Sequence, residues 1–550
     1  MTDPAGPAPG PVEAPPDIGR AAASVSAVNV VSRISGFARV VATGAALGIA
    51  TLGDTYQTAN QVSNVLFELL AGGLLFAVLV PVFVGRVAHG DRAGARHLGD
   101  VLVGRALVGL GAVALLGVVL SPLLARALFV AVPGGPSAAQ EQLATVLLWF
   151  VLPQVVVYGV GSVITAILQA DHRFVAAASA PIANNLVVIA TMVTFAIVHG
   201  TGSGLDLTGA DELILGGGTL LGTVAMTAVV VVASARAGLS LRPRWRHPDV
   251  GPLGPLVRQG LWAAGHIGLN QVLLISTIVL ANSVPGGAIA FTTAFTVFLL
   301  PHAVLAHPIV TALSPRLATH FHQHDDEGYA ADLGRGLRIL LVMLVPAAVL
   351  MAVLARPGLQ LVAGVGALDT TGLDLVATAL AGFATALVGY SVFFYFTRAA
   401  YAVDDAAGPT QINIVVTAAA VLGMVVVSAT MEGPGVLAAF GVVQGVALTA
   451  GTIALGARLF RRVTAPTGTL GALGRGVLAA VAGGVPALVV VVVVGDASRT
   501  ASLVATVVGG LVGAVGVIGS LRVVRAPELG AVLARVPGRS RSAPVDEVVA

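Results

Sequence analysis

The chain has 550 residues, of which 56% are hydrophobic and 10% are charged, and its mean hydropathy is +0.94. Soluble domains carry about 25% charged residues, so this composition excludes a soluble enzyme and indicates an integral membrane protein. The sequence contains no cysteine, and its 29 basic residues are all arginines. Disulfides, thiolate metal sites, iron–sulfur clusters and a Walker-A lysine are therefore excluded, and we expect no cofactor.

Apolar segments follow one another along nearly the whole chain. Each of the fourteen is long enough to cross a bilayer as a helix of about 20 residues. The predicted spans cover residues 26–48, 57–84, 101–122, 143–168, 176–198, 213–234, 258–281, 288–311, 335–354, 374–397, 410–430, 436–458, 474–495 and 502–523. The sequence therefore predicts an all-α polytopic protein with about 14 transmembrane helices. We interpret residues 1–25 and 526–550, which contain few large apolar residues, as disordered cytoplasmic tails.

Arginines are distributed unequally between the loops. One set of alternate loops contains most of them, and the other set contains only Arg126, Arg356 and Arg499. Cytoplasmic loops close to membrane spans retain positive charge, so an even number of spans predicts that both termini are cytoplasmic. The isoelectric point near 9.7 then reflects topology, and we do not expect nucleic acid as a partner.

An internal repeat relates the two halves of the chain. Landmarks recur about 234 residues apart: Pro81 and Pro315, the loops with Asp91 and Asp325, and the segments ending at Asp171 and Asp405. Six spans separate equivalent positions, so both copies cross the membrane in the same sense. We predict an N-lobe over residues 26–235, a C-lobe over 258–458, and two additional spans within 474–523.

The first span contains two arginines at membrane depth. Ser32, Ser35, Arg39 and Thr43 share one helical face, and Arg33 lies about 100° from Ser32. A charged side chain at a helix centre costs about 2.5–3.5 kcal/mol on insertion scales, so it usually faces a cavity. A guanidinium group there is suited to bind phosphate oxygens in pairs. The alternatives are snorkelling towards the cytoplasm or an ion pair with a carboxylate.

The second span carries a polar stripe with helical spacing. Its members are Asp54, Gln57, Gln61, Asn64 and Glu68. This periodicity predicts a face in contact with water or substrate, although Asp54 and Gln57 are also compatible with a helix-capping box. For Glu68 we expect an ion pair with an arginine such as Arg39, and proton exchange is the alternative.

Other polar groups are compatible with purely structural roles. Gln154, Tyr158, Ser162, Thr165 and Gln169 form a stripe in the fourth span, and Gln259, His266, Asn270 and Thr277 form one in the seventh. Interhelical hydrogen bonding explains them as well as substrate contact does. We expect structural or interfacial roles for His302 and His307, which a regular helix would place on different faces. The acidic and histidine-rich run 320–326 reads as a solvated cytoplasmic loop rather than a metal site.

At these residues the chain resembles the MviN/MurJ family of the MOP exporter superfamily. The resemblance covers about residues 26 to 525. Its motifs are SRISGFAR at 32–39, GDTYQTANQVSN at 53–64, LQADHRFVAAASAPIANN at 168–185, LLPHAVLAHPIVTALSPRLA at 299–318, GLRILLVMLVPAAV at 336–349 and RAAYAVDDAAGPTQIN at 398–413. The second and the last are the more specific, because their order, spacing and topology agree.

The resemblance implies a flippase of the bacterial inner membrane. Fourteen helices in two lobes would carry an undecaprenyl-diphosphate-linked peptidoglycan precursor, lipid II, to the outer leaflet by alternating access. It also implies a groove for the polyprenyl tail beside the last two helices, and functional roles for Arg33, Arg39 and Asp54, with the arginines as diphosphate ligands. The implied partners are this precursor, membrane lipids and other proteins of cell-wall synthesis.

The chain differs from the family pattern at several positions. In the second span it has Phe67, Glu68 and Gly72 where the family often has two arginines and then a glutamate. It has Val40 after the FAR element, where an acidic residue is common, and Thr296 in the eighth span, where many members carry an arginine. Diphosphate binding would then depend chiefly on Arg33 and Arg39. Three alternatives stay open: a paralogue for another lipid-linked glycan, an exporter of small organic molecules, and a scaffold without transport activity.

Overall fold

The computed structural model describes residues 18–70, 79–202, 204–248, 254–403, 405, 407–461, 467–496 and 498–533. These residues form twenty α-helices and two π-helical segments, and no β-strand occurs among them. The prediction of an all-α polytopic membrane fold is confirmed. Gly72 and most of the predicted tails lie outside the described residues.

The N-lobe contains the first nine helices. They are α1 (Ile18–Leu47), α2 (Thr51–Phe67), α3 (Val80–Ala88), α4 (Arg92–Val119), α5 (Ser121–Leu128), α6 (Ala138–Val151), α7 (Gln154–Ala170), α8 (Phe174–Val198) and α9 (Gly209–Arg236). Helix α1 packs against α8, α8 against α9, and α4 against α7. This arrangement leaves one face of α1 and one face of α2 directed towards the other lobe.

The C-lobe contains the next eight helices, and three more follow it. They are α10 (Gly254–Ala281), α11 (Gly287–Pro301), α12 (His307–His322), α13 (Asp326–Gln360), α14 (Thr370–Ala384), α15 (Ala386–Ala402), α16 (Ala407–Thr430) and α17 (Gly435–Leu459), then α18 (Thr469–Val494), α19 (Arg499–Val523) and α20 (Pro527–Leu533). A π-helical segment, His302–Ala306, joins α11 to α12. The largest hydrophobic core lies in this lobe and includes Phe291, Phe298, Phe383 and Tyr395.

Most of the predicted membrane spans coincide with long apolar helices. Eleven helices among the described residues are long and apolar enough to cross a membrane, and α14 with α15, bent by 51°, adds a twelfth. The two remaining predicted spans fall on α2–α3, between which residues 71–78 are not described, and on α10, whose described apolar part is Ile267–Ala281. The count of fourteen, the orientation and the lobe boundaries stay predictions.

The internal repeat is visible in the backbone. Helix α4 begins at Arg92 and α13 begins at Asp326, 234 residues later. The π-helical segments show the same offset, because they begin at Glu68 and at His302. Each helix is preceded by an aspartate that accepts an amide hydrogen bond of 2.8 Å, from Gly94 in the first copy and from Gly328 in the second.

The two turns also share a basic side chain five residues before the aspartate. Arg86 contacts Asp91 at 3.2 Å, and His320 contacts Asp325 at 2.7 Å. The Gly328 amide and then the His320 ring hold the pKa of Asp325 below its usual range. His320 and His322 lie in the last turn of α12, and residues 323–325 form the turn that caps α13, so only this short part of the predicted loop is outside a helix.

The last helices pack on the outside of the C-lobe. Helices α18 and α19 pack against each other and against α13. Helix α20 occupies part of the segment predicted as a tail, because Glu528 is buried and forms a 2.5 Å ion pair with Arg475 of α18. Helix α1 likewise begins at Ile18, inside the predicted N-terminal tail, where a run of three alanines favours helix.

We predict that Glu528→Gln lowers the thermal stability of the purified protein. The substitution leaves the half-buried Arg475 guanidinium without its carboxylate partner, a loss of about 1–3 kcal/mol for a hydrogen bond to a charged group. Glu432→Gln, at an exposed carboxylate in the α16–α17 loop, is the matched control. Equal melting temperatures for the two variants would contradict the assigned role of the pair.

Candidate functional site

A cavity of about 860 Å³ lies between the two lobes. Side chains of α1 and α2 line it from the N-lobe, and side chains of α10, α11 and α15 line it from the C-lobe. Three of its described lining residues are charged: Arg33, Arg39 and Glu68. The remainder are chiefly amides, hydroxyls and aromatic rings, so the cavity carries one net positive charge when all three are ionised.

Six of the seven predicted site residues line this cavity. They are Arg33, Arg39, Gln57, Gln61, Asn64 and Glu68. The stripe of α2 therefore faces the space between the lobes, as its periodicity predicts. Asp54, the seventh, is not among the lining residues, and its side chain is buried.

Asp54 joins the two lobes at one end of the cavity. Its carboxylate accepts hydrogen bonds from the amides of Gly286, at 2.6 Å, and Ile289, at 3.0 Å. These amides belong to the first turn of α11, where unpaired N–H groups and the helix dipole favour a negative charge. Asp54 thus caps α11 of the opposite lobe and does not cap its own helix, α2.

Further contacts close the same end. Asn282 and Thr58 exchange side-chain hydrogen bonds across the lobes, and the Ala367 amide donates to the Ala45 carbonyl at 2.7 Å. Gly286 has φ +81°, and a Cβ there would stand 2.5 Å from the Ile49 carbonyl oxygen, so only glycine fits this approach. The hydrogen bonds between the lobes that join described residues lie at this end, which we call the closed end.

The two arginines have no carboxylate partner within 4.0 Å in the described part of the chain. Arg39 lies about 18 Å along the span that begins at Ala27, near mid-membrane. Arg33 is within electrostatic range of His302 and His307 of the C-lobe. Both guanidinium groups are accessible from the cavity and remain available to an anion.

The expected ion pair between Glu68 and Arg39 is not formed. The tight turn at residues 48–50 makes α1 and α2 an antiparallel pair, so Arg39 lies level with the first half of α2 and within electrostatic range of Tyr56. Glu68 lies further from the turn, beside Tyr390. It is exposed to the cavity, and no basic side chain among the described residues lies within 4.0 Å of it.

A histidine–aromatic cluster lies in the C-lobe beside the cavity. His302 is buried, its Nδ1 is 3.0 Å from Ser391 Oγ, and its ring contacts Tyr390 and Phe394. The ring of His307 stacks on the same Phe394. The expectation that the two histidines lie on different faces is wrong, because the π-helical segment between them has a longer turn. Their contacts agree with the structural role that we expected.

The polar stripe of the fourth span divides into two parts. Gln154 and Tyr158 form a buried hydrogen-bond network with Ser63 and Thr223. Ser162, Thr165 and Gln169 make no side-chain hydrogen bond with any described residue. The first part therefore serves interhelical bonding, and the second part faces a cavity.

The seventh span contributes interhelical bonds. Asn270 accepts from Asn413 at 3.0 Å, and Thr277 accepts from Gln444 at 3.2 Å. The side chains of Gln259 and His266 lie outside the described residues. Sequence reasoning missed Asn185 of α8, which donates to Ser35 Oγ at 2.9 Å and lines the cavity; its motif was noted, but no periodicity singled it out.

Comparison with known proteins identifies the family. The family model described as "Lipid II flippase MurJ" matches residues 43–509, which is most of the chain. The chain belongs to the lipid II flippase MurJ family. The resemblance in the sequence motifs is thus confirmed, and so is the assignment to the bacterial inner membrane as a multi-pass protein.

Individual relatives agree with this assignment. The "Probable lipid II flippase MurJ" of Rhizobium tropici is 27% identical over 401 residues, covering 72% of this chain and 73% of the relative. The "Lipid II flippase MurJ" of Burkholderia cenocepacia is 26% identical over 398 residues, covering 72% and 75%. These are flippases, a class of membrane transporters.

Solved structures share the fold. The structure titled "Lipid II flippase MurJ, inward closed conformation" matches with a TM-score of 0.72 at 17% identity, covering 91% of this chain and 99% of that one. An inward-facing multidrug MATE transporter of the MOP superfamily matches with a TM-score of 0.63 at 14% identity, covering 81% and 100%. Both structures share the fold of this chain.

The departures from the family pattern have definite places in the structure. The ring of Phe67 packs against that of Tyr158 with centroids 5.1 Å apart, and both line the cavity. Thr296 and Val40 also line it, and the Thr296 hydroxyl bonds the Thr292 carbonyl. The cavity is therefore less cationic than the family pattern implies.

We predict that Asp54→Ala opens the closed end. Each of the two lost hydrogen bonds to a charged group contributes about 1.5–3 kcal/mol, so the population should shift by more than about tenfold. The chain contains no native cysteine, so spin labels can be attached selectively at Ala139→Cys and Thr371→Cys, two exposed positions at this end. Double electron–electron resonance between the two labels then measures the separation of the lobes.

Asp206→Ala, an exposed aspartate at the same end, is the control and keeps the short distance. An unchanged distance distribution in Asp54→Ala would show that this carboxylate does not hold the lobes together.

Proposed function

We propose that this chain translocates lipid II, the undecaprenyl-diphosphate-linked peptidoglycan precursor, from the inner to the outer leaflet. The observation that carries the proposal is the pair of guanidinium groups, Arg33 and Arg39, in a cavity between two lobes, with no carboxylate partner among the described residues. They stand about 9 Å apart along α1, as the helical rise requires. Family membership and the two flippase relatives support the same substrate.

The diphosphate is the part of the substrate that the arginines are suited to hold. A guanidinium group presents several N–H donors in one plane and pairs with two phosphate oxygens. The amides of α2, Gln57, Gln61 and Asn64, add neutral donors along the same wall. Glu68 faces the cavity as well and disfavours an anion close to it, so the diphosphate would bind towards Arg39.

Alternating access follows from the asymmetry of the lobe contacts. With the predicted orientation, the closed end faces away from the cytoplasm and the cavity admits substrate from the cytoplasmic leaflet. Separation of Asp54 from the first turn of α11 would then open the opposite side. The two lobes would move as units, because each has its own hydrophobic core.

The membrane potential favours this direction of transport. Moving one elementary charge across the full potential changes its free energy by about 2.3 kcal/mol per 100 mV. The free energy of a diphosphate headgroup falls in proportion to its charge when it leaves an inside-negative cell. Transport in this scheme needs no nucleotide hydrolysis, and the role is that of a transporter and not of an enzyme.

We predict that the Arg39→Ala variant does not support growth of its host when it replaces the wild-type protein and is present in the membrane at the normal level. Removal of the group that pairs with the phosphate oxygens should lower lipid II affinity at least about tenfold, the scale of a charged hydrogen bond. Native mass spectrometry of the purified protein with lipid II measures that loss, and Arg39→Lys should restore part of it.

Arg126→Gln is the matched control. Its guanidinium is exposed and pairs with Glu141 outside the cavity, a kind of contact that contributes little. Full growth support and wild-type lipid II affinity in Arg39→Ala would refute the proposed ligand role.

A further inference from the structure

A second cavity of about 350 Å³ lies beside the first, within the N-lobe. It lies between α7, α8 and α9, and we call it the side pocket. Asn29, Phe67, Tyr158, Pro181 and Met226 line both cavities, so the two spaces adjoin each other. Its size is at the lower end of the range for ligand pockets, about 300–1,000 Å³, and suits one compact group.

The side pocket contains hydrogen-bonding groups that bond no other described side chain. Ser162, Thr165 and Gln169 line it at successive turns of α7. Ser162 is only 5% exposed, and its hydroxyl bonds no described residue. Thr165 and Gln169 are partly exposed, so all three groups are free to bond water or a ligand in the pocket. Gln154 and Tyr158 lie on the same helix but differ from these three residues, because their side chains are hydrogen-bonded within the N-lobe network.

The lining also excludes most parts of a lipid-linked substrate. None of the described lining residues of the side pocket is charged, so it offers no counterion to a diphosphate or to peptide carboxylates. A polyprenyl chain would leave Ser162, Thr165 and Gln169 unsatisfied. Aromatic rings of Phe67, Tyr158 and Phe174 combined with amides and hydroxyls suit a neutral ring that has apolar faces and polar edges.

The position of the pocket connects it with the diphosphate site. Asn29, where the two cavities adjoin, lies one helical turn before Arg33 on α1, about 6 Å along the axis, and about 15 Å before Arg39. In lipid II the sugar that carries the peptide is attached to the diphosphate, and a neutral sugar follows it. A diphosphate bound towards Arg39 could therefore extend the first sugar past Arg33 and the second one into the side pocket.

We propose that the side pocket binds the neutral, peptide-free sugar of the lipid-linked substrate. The proposal rests on the proposed function and deepens it, because it assigns substrate selection to Ser162, Thr165 and Gln169. The Phe67 ring, which stands where the family often has a charged residue, forms the wall between the two spaces.

Binding of two related lipids to the full-length protein tests this assignment. Lipid I lacks the second sugar and is otherwise the same as lipid II. We expect the wild-type protein to bind lipid II more tightly than lipid I in native mass spectrometry. Thr165→Val, Ser162→Ala and Gln169→Leu should each lower lipid II affinity about 3- to 10-fold, the scale of a lost neutral hydrogen bond, and leave lipid I affinity unchanged.

Unchanged lipid I affinity also shows that each variant is folded. The matched control is Thr194→Val, because the Thr194 hydroxyl bonds its own helix at Ala190 on an exposed face of α8. This control should preserve the preference for lipid II.

Three results would overturn the assignment. Equal wild-type affinities for the two lipids would remove the side pocket as a sugar site and leave the proposed function standing. If the three variants lowered the affinities for lipid I and lipid II equally, the side pocket would not recognise the second sugar. Binding of neither lipid by the wild-type protein would remove the proposed function, and the assignment with it.

Discussion

This structure is constrained by two arginine side chains that face the cavity and have no carboxylate partner in the described part of the chain. A charge at this depth is unfavourable by about 2.5–3.5 kcal/mol unless water or a counterion reaches it. Arg33 and Arg39 are tolerated because α1 turns one face towards the space between the lobes. Their guanidinium groups leave an anion site in a wall that is otherwise built from neutral amides, hydroxyls and rings.

The access of this site depends on how the lobes meet. The lobes are hydrogen-bonded through the Asp54 carboxylate, the first turn of α11 and the Asn282–Thr58 pair, all at one end. The interaction of a carboxylate with the N-terminus of another helix is favourable. It can still be broken, since water can hydrate the carboxylate and the amides once they separate. The closed end can therefore open, which the proposed alternating access requires.

Periodicity and charge in the sequence predicted the fold class and most of the site. The 3–4 spacing placed Gln57, Gln61, Asn64 and Glu68 on one face of α2, and this face lines the cavity. Partners could not be predicted in this way. Asp54 bonds a helix 232 residues away along the chain. Glu68 does not reach Arg39, because the turn at residues 48–50 places Arg39 opposite the first half of α2 and Glu68 beyond it. The π-helical segment at His302 and the docking of α20 through Glu528 also depend on tertiary contacts, which leave no local pattern.

The most direct test of the account is to deplete this protein in its host and follow lipid II. Mass spectrometry measures its total amount, and a label that reacts only outside the cell measures its surface exposure. The account predicts that lipid II accumulates and that its exposed fraction falls as the protein disappears. Unchanged exposure after complete depletion would contradict the account, because another protein would then move the precursor across the membrane.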